Sequence, residues 1–153
     1  MSDNFANESP VLTASFSLAR RLTAAQIAAL GAIQTATLDF GLLPAKTIVK
    51  SVLLVVSDAI VGVTTLLFSL GYDAGGPYQD YLNQHDLVGD GAGDIVGVSP
   101  SIAAETIPCA AIPSATTATA LKGVLTCSTG AETFAAVSAG DISIYFECGV
   151  LPS

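Results

Sequence analysis

The longest apolar stretch of the chain, residues 43–72, reads LPAKTIVKSVLLVVSDAIVGVTTLLFSLGY. In its first half, 47–57, apolar side chains occupy both faces of a strand, with Val49, Leu53 and Val55 opposite Ile48, Val52, Leu54 and Val56. Its second half, 64–72, alternates, with one apolar face made of Leu66, Phe68, Leu70 and Tyr72. A strand with two apolar faces must be covered on both, and we expect the partner sheet on one face and either the Ala-rich helix or neighbouring subunits on the face of Val49 and Leu53. The pattern predicts a central hairpin of two core strands, joined by a turn that contains Asp and Gly.

Before this stretch, the pattern predicts an arm, a strand and a helix. Residues 1–12 are mostly polar, and we expect them to form a flexible or partner-docked N-terminal arm. Residues 13–19 alternate between apolar and hydroxyl side chains, as a strand does. Thr23 is suited to cap a helix and Gly31 to end it, so we expect one short helix near residues 23–31.

The segments on either side of the central stretch differ in character. Residues 35–40 read as a strand, and 41–44 read as the turn that leads into the central pair. The Gly- and Asp-rich residues 73–97 are expected to form the longest irregular segment. Residues 100–120 hold three prolines and fit either an edge strand or an extended loop.

The C-terminal part carries the clearest alternation. Residues 121–128 read as a strand broken by Gly123. In 141–150, one face is formed by Ile142, Ile144, Phe146, Cys148 and Val150 and the other by Ser143, Tyr145 and Glu147. We expect the first face to belong to the sheet that packs on the central hairpin, and the second to meet water or a neighbour.

Short strands, frequent turns and little helix together predict an all-β fold. We expect an antiparallel β-sandwich, or a jelly-roll-like arrangement, with one short helix near residues 23–31. At 153 residues the chain has the length of one domain, and we assign residues 13–153 to a single β-sandwich domain.

Composition suggests that the protein works in an assembly. Charged residues make up 12% of the chain, about half of the roughly 25% usual for soluble domains. A surface with so few charges leaves apolar patches exposed, and such patches mark places where another protein sits. We therefore expect a homo-oligomer or a subunit that docks on a larger assembly.

Charge and hydropathy exclude other partners. The net charge is −8, and the five basic residues form no extended run, whereas nucleic-acid binding needs cations that neutralise phosphates. The longest uncharged runs fall short of the roughly 20 apolar residues of a membrane span, and the polar N-terminus does not read as a signal peptide. We expect neither nucleic acid nor membrane as a partner.

The three cysteines, Cys109, Cys127 and Cys148, are widely spaced and contain no C-x-x-C. A zinc site would need paired ligands and more histidine than the single His85. Reduced thiols that act as small buried hydrophobic groups are the favoured interpretation. A disulfide between two of the three stays open, because sequence does not define such pairs.

Candidate chemistry is sparse. His85 next to Asp86 could be a base and its orienting carboxylate, but no nucleophile motif accompanies them, and neighbouring side chains of an extended loop point apart. Asp86, Asp90 and Asp94 recur every four residues and could gather on calcium, although the spacing of an EF-hand is absent.

The remaining candidates are weaker still. The glycines of 89–93 lack the Lys-Ser/Thr and the helix of a phosphate-binding loop. Glu132 and Glu147 have no carboxylate partner nearby in sequence. We predict no catalytic, cofactor-binding or metal-binding residue, and no enzyme; a small jelly-roll enzyme of the cupin type would need several histidines on strands.

The order of elements resembles that of small structural proteins of tailed-bacteriophage virions, in particular head decoration or cement proteins and related fibre-base subunits. The resemblance covers 35–150, and its elements are two apolar strands, a Tyr81-Leu82 pair and the segments Leu43-Pro44-Ala45-Lys46-Thr47, Leu70-Gly71-Tyr72-Asp73 and Ser138-Ala139-Gly140-Asp141-Ile142. We expect no fibre extension after Val150, which is a departure from fibre proteins.

This resemblance implies a non-enzymatic β-sandwich or jelly-roll subunit, usually trimeric, on the outer surface of the capsid. It implies contacts with the major capsid protein that brace the shell, and assembly in the cytoplasm of the host bacterium. The alternative is a trimeric receptor- or glycan-binding module of a head or tail fibre, which would need exposed aromatic rings or a metal in 73–97. A symmetry site on the capsid does not follow from the sequence.

Overall fold

The computed structural model describes residues 14–72, 78–98 and 117–150. Within these ranges the chain forms eight strands and one α-helix. Their bounds are β1 Ala14–Thr23, α1 Ala24–Ala28, β2 Thr35–Leu43, β3 Thr47–Val61, β4 Leu66–Gly71, β5 Leu82–Asp86, β6 Ile95–Val98, β7 Thr119–Cys127 and β8 Ala139–Val150. Two 3₁₀ turns, Leu87–Gly89 and Phe134–Ala136, precede β6 and β8.

The strands form two four-stranded sheets whose order identifies the topology. Sheet A has the order β1-β8-β3-β6 and sheet B the order β2-β7-β4-β5, and every neighbouring pair is antiparallel. The chain crosses between sheets after every strand except β4, which pairs with β5 in the same sheet. Eight strands in two such interleaved sheets make a jelly roll. The predicted all-β sandwich with one short helix is therefore confirmed.

The central hairpin was a wrong prediction. β3 lies in sheet A and β4 in sheet B, so the two most apolar strands face each other across the core instead of sharing hydrogen bonds. The chain changes sheet directly after β3 at Gly62, whose φ of 108° suits glycine. β8, which was expected in the opposite sheet, is the hydrogen-bonded neighbour of β3. Apolar alternation defines which face of a strand is buried but not its lateral neighbour.

The predicted faces of β3 were also partly wrong, because irregular pairing interrupts the alternation. The register with β8 shifts between Val49 and Ser51, so Val49 turns to the same side as Val52 and Leu54. All three are buried between the sheets. Leu53 lies on the outer face of sheet A.

Three local boundaries differ from those expected. Residues 41–44 were expected to turn, but β2 runs on to Leu43 through an irregularity between Asp39 and Gly41. The expected irregular segment 73–97 contains β5 and most of β6, each of which is one of the two outermost strands of its sheet. β7 is continuous through Gly123. The glycine is there because a side chain would collide with the rings of Phe40 and Phe68.

The helix forms as its end signals indicate. The Thr23 side chain accepts from the amide of Gln26, and the Gln26 side chain accepts from the Thr23 amide, which completes a capping box. Gly31 has a φ of 89°, a conformation that favours glycine after a helix. Ile27 is fully buried and anchors the helix on the end of the sandwich.

The core lies between the inner faces of the two sheets. Phe68 meets Phe40 edge to face at 6.2 Å between ring centroids, and Tyr81, just before β5, meets Phe146 of sheet A at 6.5 Å. Other fully buried members are Leu43, Leu54, Leu66, Leu70, Leu121, Leu125, Ile142 and Ile144. With both inner faces covered, the outer faces of the sheets carry the side chains that meet solvent or partners.

Candidate interaction surface

The outer face of sheet A carries a contiguous apolar patch, which we call the Tyr145 face. It consists of Ala19 of β1, Tyr145 of β8, Leu53 and Val55 of β3, and Ile95 of β6. The exposed fractions are 45% for Tyr145, 37% for Leu53 and 64% for Ile95. Adjacent exposed side chains of this size are unusual on a surface that meets only water.

Strand register brings these residues together from distant parts of the sequence. Tyr145 lies between Ala19 on β1 and Leu53 on β3 in one row across the sheet. Val55 pairs directly with Ile95 in the next row. Because cross-strand partners have Cβ atoms about 5 Å apart, the five side chains form one surface.

Polar groups border this patch: the exposed Asp58 lies opposite Asp141 in the register, and other groups are engaged within the chain. Arg21 of β1 forms a bidentate ion pair with Asp141 of β8. This contact lowers the pKa of the Asp141 carboxyl and raises that of the Arg21 guanidinium, chiefly through the hydrogen bonds between them. On the opposite border, the Ser51 hydroxyl donates to Glu147 at 3.3 Å. An apolar centre with a polar border is the usual composition of a protein interface.

The outer face of sheet B differs in chemistry. Its rows mix polar and apolar side chains, with Thr35 opposite Thr126, Thr37 opposite Val124 and Asp39 opposite Lys122. Leu42, near the end of β2, is 67% exposed. Hydroxyl and charged groups lie between the apolar side chains here, whereas the apolar side chains of the Tyr145 face lie next to one another.

The structure separates the predicted histidine–aspartate pair. His85 Nε2 lies 2.7 Å from Asp90 Oδ2, five residues further on, not from Asp86. Asp86 instead accepts hydrogen bonds from the amides of Leu66 and Val88, both at 3.1 Å. In the described ranges no hydrogen bond joins the imidazole to a Ser, Thr or Cys side chain, so the pair lacks a nucleophile to activate.

The three aspartates that could have gathered on calcium serve separate purposes. Asp86 holds two backbone amides, Asp90 meets His85, and Asp94 accepts from the Gly91 amide at 2.7 Å. Within residues 14–72, 78–98 and 117–150, no cluster of three or more His, Cys, Asp or Glu side chains could hold a metal ion. The candidate calcium site is not formed by these residues.

Both described cysteines are buried free thiols. Cys127 lies on β7 of sheet B and Cys148 on β8 of sheet A. Burial raises the pKa of both thiols, that of Cys148 to about 11, so they stay protonated and unreactive at neutral pH. The interpretation as small buried hydrophobic groups is confirmed for these two, and Cys109 lies outside the described residues.

Of two tyrosines in the predicted loop, Tyr81 is buried and Tyr78 is partly exposed. The Tyr81 side chain is 7% exposed, and its pKa is raised by burial. The ammonium of Lys122 lies 5.9 Å from the centroid of the Tyr78 ring. The Tyr81 ring is therefore not open to stack on a sugar, as the alternative glycan-binding role would require of 73–97, whereas the Tyr78 ring is partly exposed; residues 73–77 lie outside the described ranges.

A cleft opens where the edge strands β1 and β2 diverge. It has a volume of about 280 Å³ and is lined by Arg20, Arg21, Leu22, Gln26, Leu38, Asp39 and Phe40. The Arg20 guanidinium spans it and donates to the Phe40 carbonyl at 2.8 Å. Arg21 is paired with Asp141, and the Asp39 carboxylate accepts from the Gly41 amide, so these lining charges already have partners within the chain.

Comparison with known proteins links the fold to viruses. No family model and no curated protein sequence matches the chain. Three solved chains match its structure, and all three come from structures of phage capsids. One belongs to the acid-stable capsid of Helicobacter pylori bacteriophage KHP30, with a TM-score of 0.59 and 14% identity over 94% of this chain and 92% of that chain.

The other two matches have the same character. A chain of the Cyanophage Pam1 capsid gives a TM-score of 0.54 and 16% identity over 99% of this chain and 100% of that chain. A chain of the capsid of Ralstonia phage GP4 gives a TM-score of 0.54 and 12% identity over 95% of this chain and 90% of that chain. At these identities the matches establish a shared fold.

Sequence reasoning found part of the Tyr145 face. Alternation in β8 placed Tyr145 on the side that meets water or a neighbour. Ile95 was missed because it lies in a four-residue strand inside a segment read as irregular.

Among the described residues, no helix combines the length and the apolar character needed to cross a membrane.

Proposed function

We propose that the protein is a non-enzymatic structural subunit of a bacteriophage virion, located on the outer surface of the capsid as a decoration or cement protein. The observation that carries this proposal is a jelly roll that aligns with chains of three phage capsids over at least 94% of its length. The resemblance in the order of sequence elements led to the same class of protein.

The surface chemistry supports a role in adhesion. The Tyr145 face exposes apolar area to water, and covering this area with another protein lowers the free energy. In the described ranges the one histidine is tied to Asp90 and the two thiols are buried, so these residues present no reactive group to a substrate. Such a subunit acts by adding contacts between shell proteins, which offset the outward pressure of packaged DNA.

The proposed partners are the major capsid protein and further copies of this chain. A trimer, which the resemblance implied, remains a prediction. The acidic character, with a net charge of −8, suits a position outside a DNA-filled shell, since it brings no affinity for nucleic acid.

Particles that lack the protein test this proposal. We expect such particles to release DNA at a lower temperature or at lower salt than complete particles, and purified protein added back to restore their resistance. DNA release is followed by the fluorescence of a DNA-binding dye during heating. Particles that resist heat equally with and without the protein would reject the cement role.

The location of the protein in the virion is tested separately. Electron microscopy of complete particles should show additional density on the capsid exterior that is absent from particles without the protein. Absence of the protein from purified virions would reject the virion role altogether.

A further inference from the structure

We propose that the cleft between β1 and β2 binds a carboxylate group that adjoins an apolar group, with the Arg20 guanidinium as its counter-charge. β1 is an outermost strand of sheet A and β2 an outermost strand of sheet B, so the cleft lies at an open side of the sandwich. This site is separate from the virion role and is tested on the purified protein, so the two proposals can fail independently.

The position of Arg20 in β1 directs its side chain into the cleft. Every second residue of a strand points to the same face, and Arg20 lies between Leu18 and Leu22, which both pack on the core. Arg20 therefore lies on the inner face of β1, and its guanidinium donates to the Phe40 carbonyl of β2. An inward charge on an outermost strand is unfavourable unless water or a counter-charge meets it, and the cleft gives access to either.

Arg20 has no counter-charge in the described part of the chain. Its neighbour Arg21 is paired with Asp141, whereas no carboxylate among the described residues pairs with Arg20. Nε of Arg20 donates to the Phe40 carbonyl at 2.8 Å and Nη1 to the Ala19 carbonyl at 2.9 Å, and Nη2 has no acceptor among these residues. Neutral groups thus hold the guanidinium in place, while its charge and Nη2 remain available to a ligand.

The walls beside the guanidinium are apolar. Leu22 and Phe40, each 7% exposed, line the cleft together with Leu38. At the rim, the Gln26 side-chain oxygen accepts from the Thr23 amide, and its NH₂ group has no acceptor among the described residues. The lining therefore favours a ligand with one charged end and an apolar body. The volume of about 280 Å³ limits this ligand to a small acid or to a short part of a larger one.

A carboxylate suits this lining better than a phosphate. A guanidinium pairs with either anion through parallel hydrogen bonds, so the choice depends on charge. Asp39 also lines the cleft, but it is exposed and lies opposite Lys122 on β7, so water and that lysine screen its charge. A second negative charge on the ligand would still be repelled by Asp39 and by the net charge of −8, which favours a singly charged anion.

The test is an NMR titration of the full chain with carboxylates from two sources. Phenylacetate represents a free organic acid, and the capped tripeptide acetyl-Leu-Glu-Leu-amide represents a segment of a partner protein. We expect saturating shifts of the methyl groups of Leu22 and Leu38, with a dissociation constant on the order of a few millimolar. Leu53, on the outer face of sheet A, should not shift. Phenylacetamide and the matching Leu-Gln-Leu peptide, which lack the charge, should give no saturating shift.

Variants of two neighbouring arginines test the counter-charge. Arg20→Met keeps the length of the side chain without its charge, and it should weaken binding of both carboxylate probes by at least about tenfold. Arg21→Met is the matched control, because it removes the same charge from the same cleft although Asp141 already engages that guanidinium. Its affinity for the probes should change by less than about threefold.

Three results would overturn the proposal. The first is no saturating shift with either carboxylate probe, and the second is equal binding of the charged and neutral probes; both use the wild type and need no variant to fold. The third is unchanged affinity in Arg20→Met. Tighter binding of the peptide would assign the site to a protein segment, and tighter binding of phenylacetate to a free acid; both outcomes uphold the carboxylate site.

Discussion

Gly123 occupies a point at which two aromatic rings leave no room for a side chain. A Cβ at this position would lie 2.6 Å from Cε2 of Phe40 and 2.6 Å from Cε2 of Phe68. These two rings pack edge to face and belong to the strands on either side of β7. The glycine therefore permits close packing in the centre of sheet B, although the sequence alone suggested a break in the strand.

Gly123→Ala should destabilise the protein by about 1–3 kcal/mol, because an added methyl group forces both rings out of place. The free energy of unfolding is measured by urea denaturation. Gly89→Ala is the matched control, since nothing lies within 4 Å of a Cβ at that position. Equal unfolding midpoints for the two variants would contradict the packing seen here.

At the scale of elements, hydrogen bonds between loops fasten one end of the sandwich. The Glu132 carboxylate, between β7 and β8, accepts from the Thr64 amide at 2.7 Å and from the Thr64 hydroxyl at 2.6 Å. Gln34, before β2, donates to the carbonyl of Gly130 at 2.8 Å. These bonds connect the crossing between β3 and β4 to loops from two other pairs of strands.

This arrangement predicts a dependence of stability on pH. The hydrogen bonds from Thr64, first that of its side chain, lower the pKa of Glu132 in the folded state below the ordinary value of 4.5. The carboxylate thus contributes stability above pH 4.5, and the contribution is lost as the pH falls through the lowered pKa. Glu132→Gln should be less stable than the wild type at pH 7, and the difference should shrink as the pH approaches 3.

The measurement is thermal unfolding of both proteins between about pH 7 and pH 3. Glu147→Gln serves as the control, because its carboxylate accepts a single, longer bond from the Ser51 hydroxyl. A difference between wild type and Glu132→Gln that stays constant across this range would contradict the assignment.

At the scale of the whole molecule, some apolar residues of β3 lie in the core and others lie on the outer face of sheet A. Val49 is fully buried in the core, and Leu53, four residues later, lies on the Tyr145 face. The sequence pattern had placed both on one face. The register shift between them is what separates a residue that holds the fold from one that is available to a partner.

Val49→Asp and Leu53→Asp should therefore have opposite outcomes. An unpaired carboxylate at position 49 would be buried, so we expect a protein that does not fold, since such a charge costs several kcal/mol. Leu53→Asp should fold, with a melting temperature close to that of the wild type. Circular dichroism during heating reports the folding of both variants.

The two variants control each other because they introduce the same side chain into the same strand. Unfolding of Leu53→Asp would show that the outer face of sheet A is covered within the chain, against the exposure described here. A stable, folded Val49→Asp would contradict the register shift.

Local signals predicted most elements of this fold. Alternation in β8 gave both of its faces, and the Thr23 cap gave the start of α1. The short strands β5 and β6 escaped prediction, since they are outermost strands whose residues lie among glycines and aspartates. Of the Tyr145 face, Tyr145 was placed on an outward side, and Leu53 and Val55 were placed on a face of β3 for which the Ala-rich helix and neighbouring subunits were alternative covers.

The sequence by itself determined that the chain is an all-β sandwich, because period-two alternation and turn residues act over a few residues. The tertiary structure decided which strands pair, where β3 changes its buried face, and which apolar side chains remain outside. Those outcomes depend on contacts between distant segments, such as Tyr145 beside Leu53 and Val55 beside Ile95, and no local pattern records them.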